Sequence, residues 1–168
     1  SLYEKSLKLD HSEPRIIVPY VVAMLQSEHN GEDLIKSLAA WNERFPSTLF
    51  ELTIAINYAE LGKHKKAHEI YSNIIKNNPR NKEAKVNDAI LLYRDLKDIP
   101  KAVHLFENVL TEHSNELSES ITALIRAHLA ATYAAGKQWD KAEQEFVRAI
   151  AADHRNLSIL DFMSRAYK

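Results

Sequence analysis

The sequence predicts an all-α fold in which antiparallel helix hairpins stack into an α-solenoid. Gly and Pro are scarce, at three and five of 168 residues. Each Gly separates two stretches whose apolar residues recur with the period of a helix. In addition, three segments repeat one apolar pattern after an alanine. The alanines are 35 and 40 residues apart, close to the ~34 residues of one helix hairpin.

The repeated segments read as the second helices of three hairpins. Their shared positions follow i, i+3, i+4, i+7, i+8 spacing, which places them on one helix face. The sets are Ala67, Ile70, Tyr71, Ile74 and Ile75; Ala102, Leu105, Phe106, Val109 and Leu110; and Ala142, Glu145, Phe146, Ala149 and Ile150. Tyr58, Tyr93 and Tyr133 each stand nine residues before the alanine, near the end of a first helix. A weaker copy is anchored on Leu34.

This pattern predicts a single repeat array over residues 1–168. Residues 1–13 would be the end of a preceding repeat, and residues 14–46, 47–80, 81–114 and 115–155 would be four repeats. Residues 156–168 would be the first helix of a following repeat, so we expect the array to continue on at least one side. Pro19 should lie in the first turn of a helix that begins near Ile16, because proline lacks a backbone donor.

The hairpins resemble the tetratricopeptide repeat (TPR), a helix–turn–helix of about 34 residues. The first matching set is Tyr58, Gly62, Ala67, Tyr71 and Pro79. Residues 129–143 are also close to the family signature, although Gly136 comes one residue early. The second hairpin departs from it, with Lys97 at the turn glycine and Ser114 at the closing proline. The resemblance implies a right-handed TPR-like superhelix.

By this resemblance, the first helices line a concave groove that binds a partner peptide or helix. The candidate partner-binding residues are Leu52, Ile56, Glu60, Asn87, Asp88, Leu91, Arg94, Asp95, Ala127, His128 and Ala131. Leu52, Ile56 and Leu91 could instead be core between repeats. Arg94 and Asp95 could instead form surface ion pairs, which contribute at most ~1 kcal/mol. Some family members hold chaperone tails with Lys, Asn and Arg, and only Asn87 is of a suitable type at those positions here.

Composition argues against several other classes of partner. Lys plus Arg number 22 against 23 Asp plus Glu, for a net charge of −1, so nucleic acid is not an expected partner. The longest apolar run, residues 16–25, is about half of the ~20 residues of a membrane span, so no membrane insertion is expected. There is no Cys, which is compatible with the cytoplasm or a bacterial periplasm.

No pattern in the sequence predicts catalysis, a cofactor or a metal. His64 and His68 share a helix face, but no third ligand accompanies them. With three glycines, no Gly-rich nucleotide loop can be built. Acidic pairs such as Glu32-Asp33 lie at helix starts, where they favourably meet the helix dipole.

The leading hypothesis is therefore a scaffold or adaptor for protein–protein interaction. One alternative is a substrate-recruiting segment of a larger enzyme or of a bacterial export or assembly protein. A less favoured alternative is an RNA-binding helical repeat. Self-association through the repeat ends is also considered, with Leu2, Leu7, Leu160 and Phe162 supplying apolar surface.

Overall fold

The described part of the chain is helical throughout, which confirms the predicted all-α fold. The computed structural model describes the backbone of residues 14–166 and the side chains of residues 18, 19, 21–156 and 159–165. Its helices are α1 Pro14–Glu28, α2 Gly31–Arg44, α3 Thr48–Glu60, α4 His64–Asn77, α5 Lys82–Leu91, α6 Ile99–Glu112, α7 Glu119–Ala135, α8 Trp139–Ala152 and α9 Leu157–Ala166. A π-turn, Leu92–Leu96, continues α5. The segment 1–13, with Leu2 and Leu7, lies outside the described residues.

The chain divides into two compact units, residues 1–70 and 71–168. The first unit has a core contributed by α1, α2 and α3, against which Tyr58 and Ile70 also pack. Trp41 of α2 is buried there. Helix α1 begins at Pro14 and contains Pro19 in its interior, so the predicted start near Ile16 was slightly late.

The turn between α3 and α4 requires a left-handed residue. Gly62 has a φ of +72°, a conformation that glycine adopts without steric cost. The Lys63 amide then donates to the Tyr58 carbonyl at 2.8 Å. The ammonium groups of Lys63 and Lys66 lie 5.9 and 5.4 Å from the centre of the Tyr58 ring. This turn therefore has the chemistry that the sequence predicts for a hairpin.

In the second unit, α6 packs against α5, α7 packs against α6 and α8, and α9 packs against α7. The faces predicted from the repeated pattern are buried. Ala102, Phe106 and Val109 of α6 are fully inaccessible, as are Phe146 and Ala149 of α8. Alanine and other small residues at such positions allow helix axes to approach closely. The periodicity therefore identified the contact faces correctly.

A charged network holds residues 113–118, which connect α6 to α7. The buried Lys85 ammonium of α5 pairs with the Glu112 carboxylate at the end of α6. Beyond α6, buried His113 lies with its Nδ1 2.9 Å from the Glu116 carboxylate, which also accepts a bond from Arg80 at 3.1 Å. These contacts attach the segment to the start of α5.

Candidate functional site

The π-turn that follows α5 displays two of the predicted binding residues. It ends at Lys97, whose φ of +59° is left-handed and whose amide donates to the Leu92 carbonyl. Lys97 therefore occupies the position where the repeat usually has glycine. π-turns inside helices often occur at functional sites. Here the turn leaves Arg94 and Asp95 exposed and Tyr93 partly buried.

A cavity of about 470 Å³ lies beside this turn. We call it the His128 cleft. Its lining residues come from the π-turn, α7 and α9: Tyr93, Arg94, His128, Ala131, Ala134, Ala135, Phe162 and Arg165. The structure thus brings together Arg94, His128 and Ala131 from the predicted set.

Aromatic rings form the inner part of the His128 cleft. The His128 imidazole stacks on Phe106 of the core, with centroids 6.0 Å apart and planes at 10°. Phe162 meets the imidazole edge-on at 4.5 Å. The Tyr93 hydroxyl lies 3.2 Å from His128 Nδ1, within hydrogen-bond distance. The imidazole therefore joins the hydrophobic core to the cleft and is held by three rings.

Burial makes this inner part neutral and leaves the charge at the rim. Burial of His128, with a smaller contribution from nearby Arg94, lowers its pKa to about 4, so the imidazole is neutral at pH 7. Burial also raises the pKa of Tyr93, which keeps the phenol protonated. The charged lining residues are Arg94 and Arg165, the latter paired with Asp161 on α9. The rim is therefore cationic over an aromatic base.

The alanines of α7 divide between packing and the cleft. Ala123, Ala127 and Ala130 are fully buried in contacts between helices. Ala131 and Ala135, in contrast, line the cleft, where a methyl group leaves room that a larger side chain would fill. The same small-residue helix thus serves close packing on one face and an open space on another.

Solved structures share this arrangement of helices. MamA 41-end from Desulfovibrio magneticus RS-1 matches with a TM-score of 0.71 and 16% identity, over 85% of this chain and 77% of that one. A double mutant of RS-1 MamA matches with a TM-score of 0.70 at the same identity and coverage. A tetratricopeptide repeat protein from Parabacteroides merdae matches with a TM-score of 0.70 and 19% identity, over 86% of this chain and 52% of that one.

The fold is that of tetratricopeptide repeats. Comparison with protein-family models and with curated proteins finds no match. A likeness at 16–19% identity shows a shared fold and does not show a shared ligand. Any ligand of this TPR-like chain must therefore be inferred from its own residues.

Three predicted binding residues of the second TPR-like unit lie in its interior. Asp88, Leu91 and Ala127 are 2%, 3% and 0% exposed, so they lack the surface through which a partner would be contacted. The physical reason is that a first helix in a stack packs against more than one neighbour. Asn87 is partly buried.

The predicted residues of the first unit remain accessible. Ile56 and Glu60 of α3 are exposed, and Leu52 is partly buried. Leu49 and Leu61, which the sequence analysis did not single out, are exposed as well. This unit therefore presents apolar side chains on the surface of α3.

Sequence reasoning missed Phe162 and Arg165 as lining residues. A signal was available, because residues 156–168 were predicted to be a further first helix, and first helices line the groove in the resemblance. Phe162 and Arg165 are three residues apart, so they share one face of α9. That face is the one that meets His128.

A second cavity, of about 500 Å³, lies on the other side of α7. It is lined by Ile99, Pro100, Val103, Glu107, Tyr133, Gly136, Gln138 and Lys141. The Tyr133 hydroxyl donates to the Glu107 carboxylate at 2.7 Å. Burial and this bond raise the pKa of Tyr133, and the Lys141 ammonium lies over its ring. Tyr133 and Glu107 are therefore already bonded to each other, which leaves fewer polar groups of this cavity to hold a ligand.

Within the described residues, no group of three or more His, Asp or Glu side chains is placed to hold a metal ion. No helix in the same part of the chain is long and apolar enough to cross a membrane.

Proposed function

We propose that this chain is a protein-interaction scaffold that binds a segment of a partner protein in the His128 cleft and catalyses no reaction. The cleft itself is the observation that supports the proposal most strongly. Its volume of about 470 Å³ lies within the range of about 300–1,000 Å³ that is usual for ligand sites. Its aromatic and alanine base with a charged rim is also the usual composition of such sites.

The lining residues favour binding over catalysis. None of the described residues that line the cleft is Ser, Thr, Asp or Glu, so His128 has no aliphatic hydroxyl to activate and no carboxylate to orient it there. Its Nδ1 is occupied by the Tyr93 hydroxyl. A scaffold needs only shape, apolar surface and charge, all of which the cleft offers.

The alternatives fit the same surface less well. An RNA strand requires a basic track that follows several phosphates, whereas two cations line the cleft and the chain carries a net charge of −1. Self-association could use Leu160, which is 54% exposed, but Phe162 already packs on His128. A substrate-recruiting role in a larger protein would use the same binding event.

A displayed library of random peptides, selected on the purified chain, tests the proposal. Synthetic copies of the enriched peptides are then titrated against two variants. Ala131→Trp fills the cleft, and Ala151→Trp adds the same bulk at an exposed position of α8 away from it. Circular dichroism must show the same helicity for both.

We expect Ala131→Trp to abolish binding and Ala151→Trp to preserve it. A library that yields no binder would refute a peptide-binding scaffold. Binders that tolerate Ala131→Trp would refute the cleft as their site.

A further inference from the structure

We propose that the segment bound in the His128 cleft carries an Asp or Glu side chain whose carboxylate contacts Arg94 and Arg165, next to an apolar residue that packs on the cleft alanines. This inference rests on the proposed function and names the chemistry of the partner. It predicts an acidic, partly apolar internal segment.

Two guanidinium groups line the His128 cleft. Arg94 comes from the π-turn and Arg165 from α9, yet both line one cavity. Arginine offers a planar fork of donors that matches a carboxylate. Arg165 already donates to both carboxylate oxygens of Asp161, through Nε and Nη2. That pair is exposed, and a guanidinium has five N–H donors, so donors of Arg165 remain for a partner carboxylate.

The positive charge of Arg94 reaches the inner part of the cleft. Burial is the main cause of the lowered pKa of His128, and Arg94 lowers it further. The charge of Arg94 therefore favours an anion at the rim beside it. No Asp or Glu is among the described lining residues. Two acidic side chains lie next to this lining: Asp161 pairs with Arg165, and burial raises the pKa of Tyr93, with a small addition from Asp95.

The other polar groups of the cleft favour a side-chain carboxylate over a chain terminus. The polar lining groups besides the arginines are the Tyr93 hydroxyl and the His128 imidazole, which lie within hydrogen-bond distance of each other. No side-chain amide is present to pair with a buried peptide backbone, whose donors and acceptors must be satisfied. An acidic side chain reaches the arginines while its backbone stays in water. We therefore assign a side chain and not a chain terminus.

The alanines of the cleft favour an apolar residue next to the acidic one. Ala131 and Ala135 lie one helical turn apart on α7 and both line the cleft. Together with the Phe162 ring they offer an apolar wall beneath the cationic rim. A Leu, Met or Phe side chain of the partner would remove this wall from water, which stabilises binding in proportion to the area buried.

The test uses peptides from the library selection, synthesised with acetylated and amidated ends so that they carry no terminal charge. Each peptide is paired with a copy in which Glu or Asp is replaced by Gln or Asn, and binding is followed by fluorescence anisotropy. The chain is used as the wild type, Arg94→Gln, Arg165→Gln and Arg155→Gln. Arg155 is exposed in the same unit and does not line the cleft, so it controls for loss of one charge.

We expect amide replacement in the peptide, Arg94→Gln and Arg165→Gln each to weaken binding about tenfold, as for loss of one charged hydrogen bond. Arg155→Gln should leave the affinity unchanged. Binding should also weaken with added salt, because the rim is exposed and the Debye length shortens to about 3 Å at 1 M.

Four results would overturn the inference while leaving the proposed function intact. The enriched peptides could lack acidic residues, or their amide copies could bind equally well. The capped peptides could fail to bind although copies with a free carboxyl terminus bind. An equal loss with Arg155→Gln would show a general charge effect. A selection that enriches no peptide would refute the proposed function together with the inference.

Discussion

Replacing Phe106 by Ala tests how the core supports the His128 cleft. Phe106 is fully buried, and its ring centroid lies 6.0 Å from His128 and 6.4 Å from Tyr93. Removing a buried Phe side chain costs about 3–5 kcal/mol in the free energy of unfolding, because apolar contacts are lost and a cavity remains. Native domains are stable by only about 5–15 kcal/mol, so the variant should be much less stable.

The matched comparison is Phe162→Ala on the other side of the same imidazole. Phe162 is partly buried, so its truncation should cost about 1 kcal/mol, well under the value for a fully buried side chain. Urea unfolding followed by circular dichroism gives both values, provided that the denaturant slopes agree. A cost below about 1 kcal/mol for Phe106→Ala, or equal costs for the two variants, would refute the packing described for α6 and α7.

Further variants test the titrating groups and the turns. His128→Phe should flatten the pH dependence of stability. The folded pKa of His128, about 4, lies below the ordinary 6.5, so the stability of the wild type falls as the pH drops from 6.5 towards 4. Melting temperatures of both proteins over that pH range check this. The Lys85 hydrogen bond holds the pKa of Glu112 below its ordinary 4.5. The stability that this bond adds is therefore present above pH 4.5 and is lost on acidification. Glu112→Gln should make the free energy of unfolding less sensitive to acid, which urea titrations at several pH values measure. Gly62→Ala should cost about 1 kcal/mol, because a Cβ at φ +72° meets no clash and only the left-handed backbone is penalised. Lys97→Gly, at φ +59°, should instead stabilise the chain by about 0.5 kcal/mol. Urea unfolding gives the free energy of unfolding of both turn variants, and a change in the same direction for both would contradict this reasoning.

The sequence predicted burial and turn conformation correctly at positions where a single packing stripe or the local backbone decides them. The second helices pack through one stripe, so the i, i+3, i+4 recurrence of apolar residues identified Ala102, Phe106 and Phe146, all fully buried. Gly62 was readable as a turn residue because its left-handed φ is a local requirement that few other residue types meet. The resemblance to the tetratricopeptide repeat rested on this spacing, and the shared fold confirms it.

The first helices were harder to read because more than one neighbour covers them. Asp88 and Arg94 are both polar residues of the α5 segment, yet Asp88 is buried and Arg94 is exposed. The π-turn at Leu92–Leu96 adds to the difficulty, since its wider hydrogen bonding alters the angular spacing of side chains that a regular helix would give. A pattern of polar and apolar residues shows neither which polar residue of a first helix is buried nor where a π-turn occurs.

The sequence by itself determined the helical hairpins, their contact stripes and the fold, because helix periodicity and turn chemistry act over a few neighbouring residues. Only the tertiary structure decided that Arg94, His128 and Arg165 line one cavity. These residues are far apart in the sequence, and packing of α9 against α7 brings them together. Such packing depends on the shapes of several side chains at once, which no local pattern specifies.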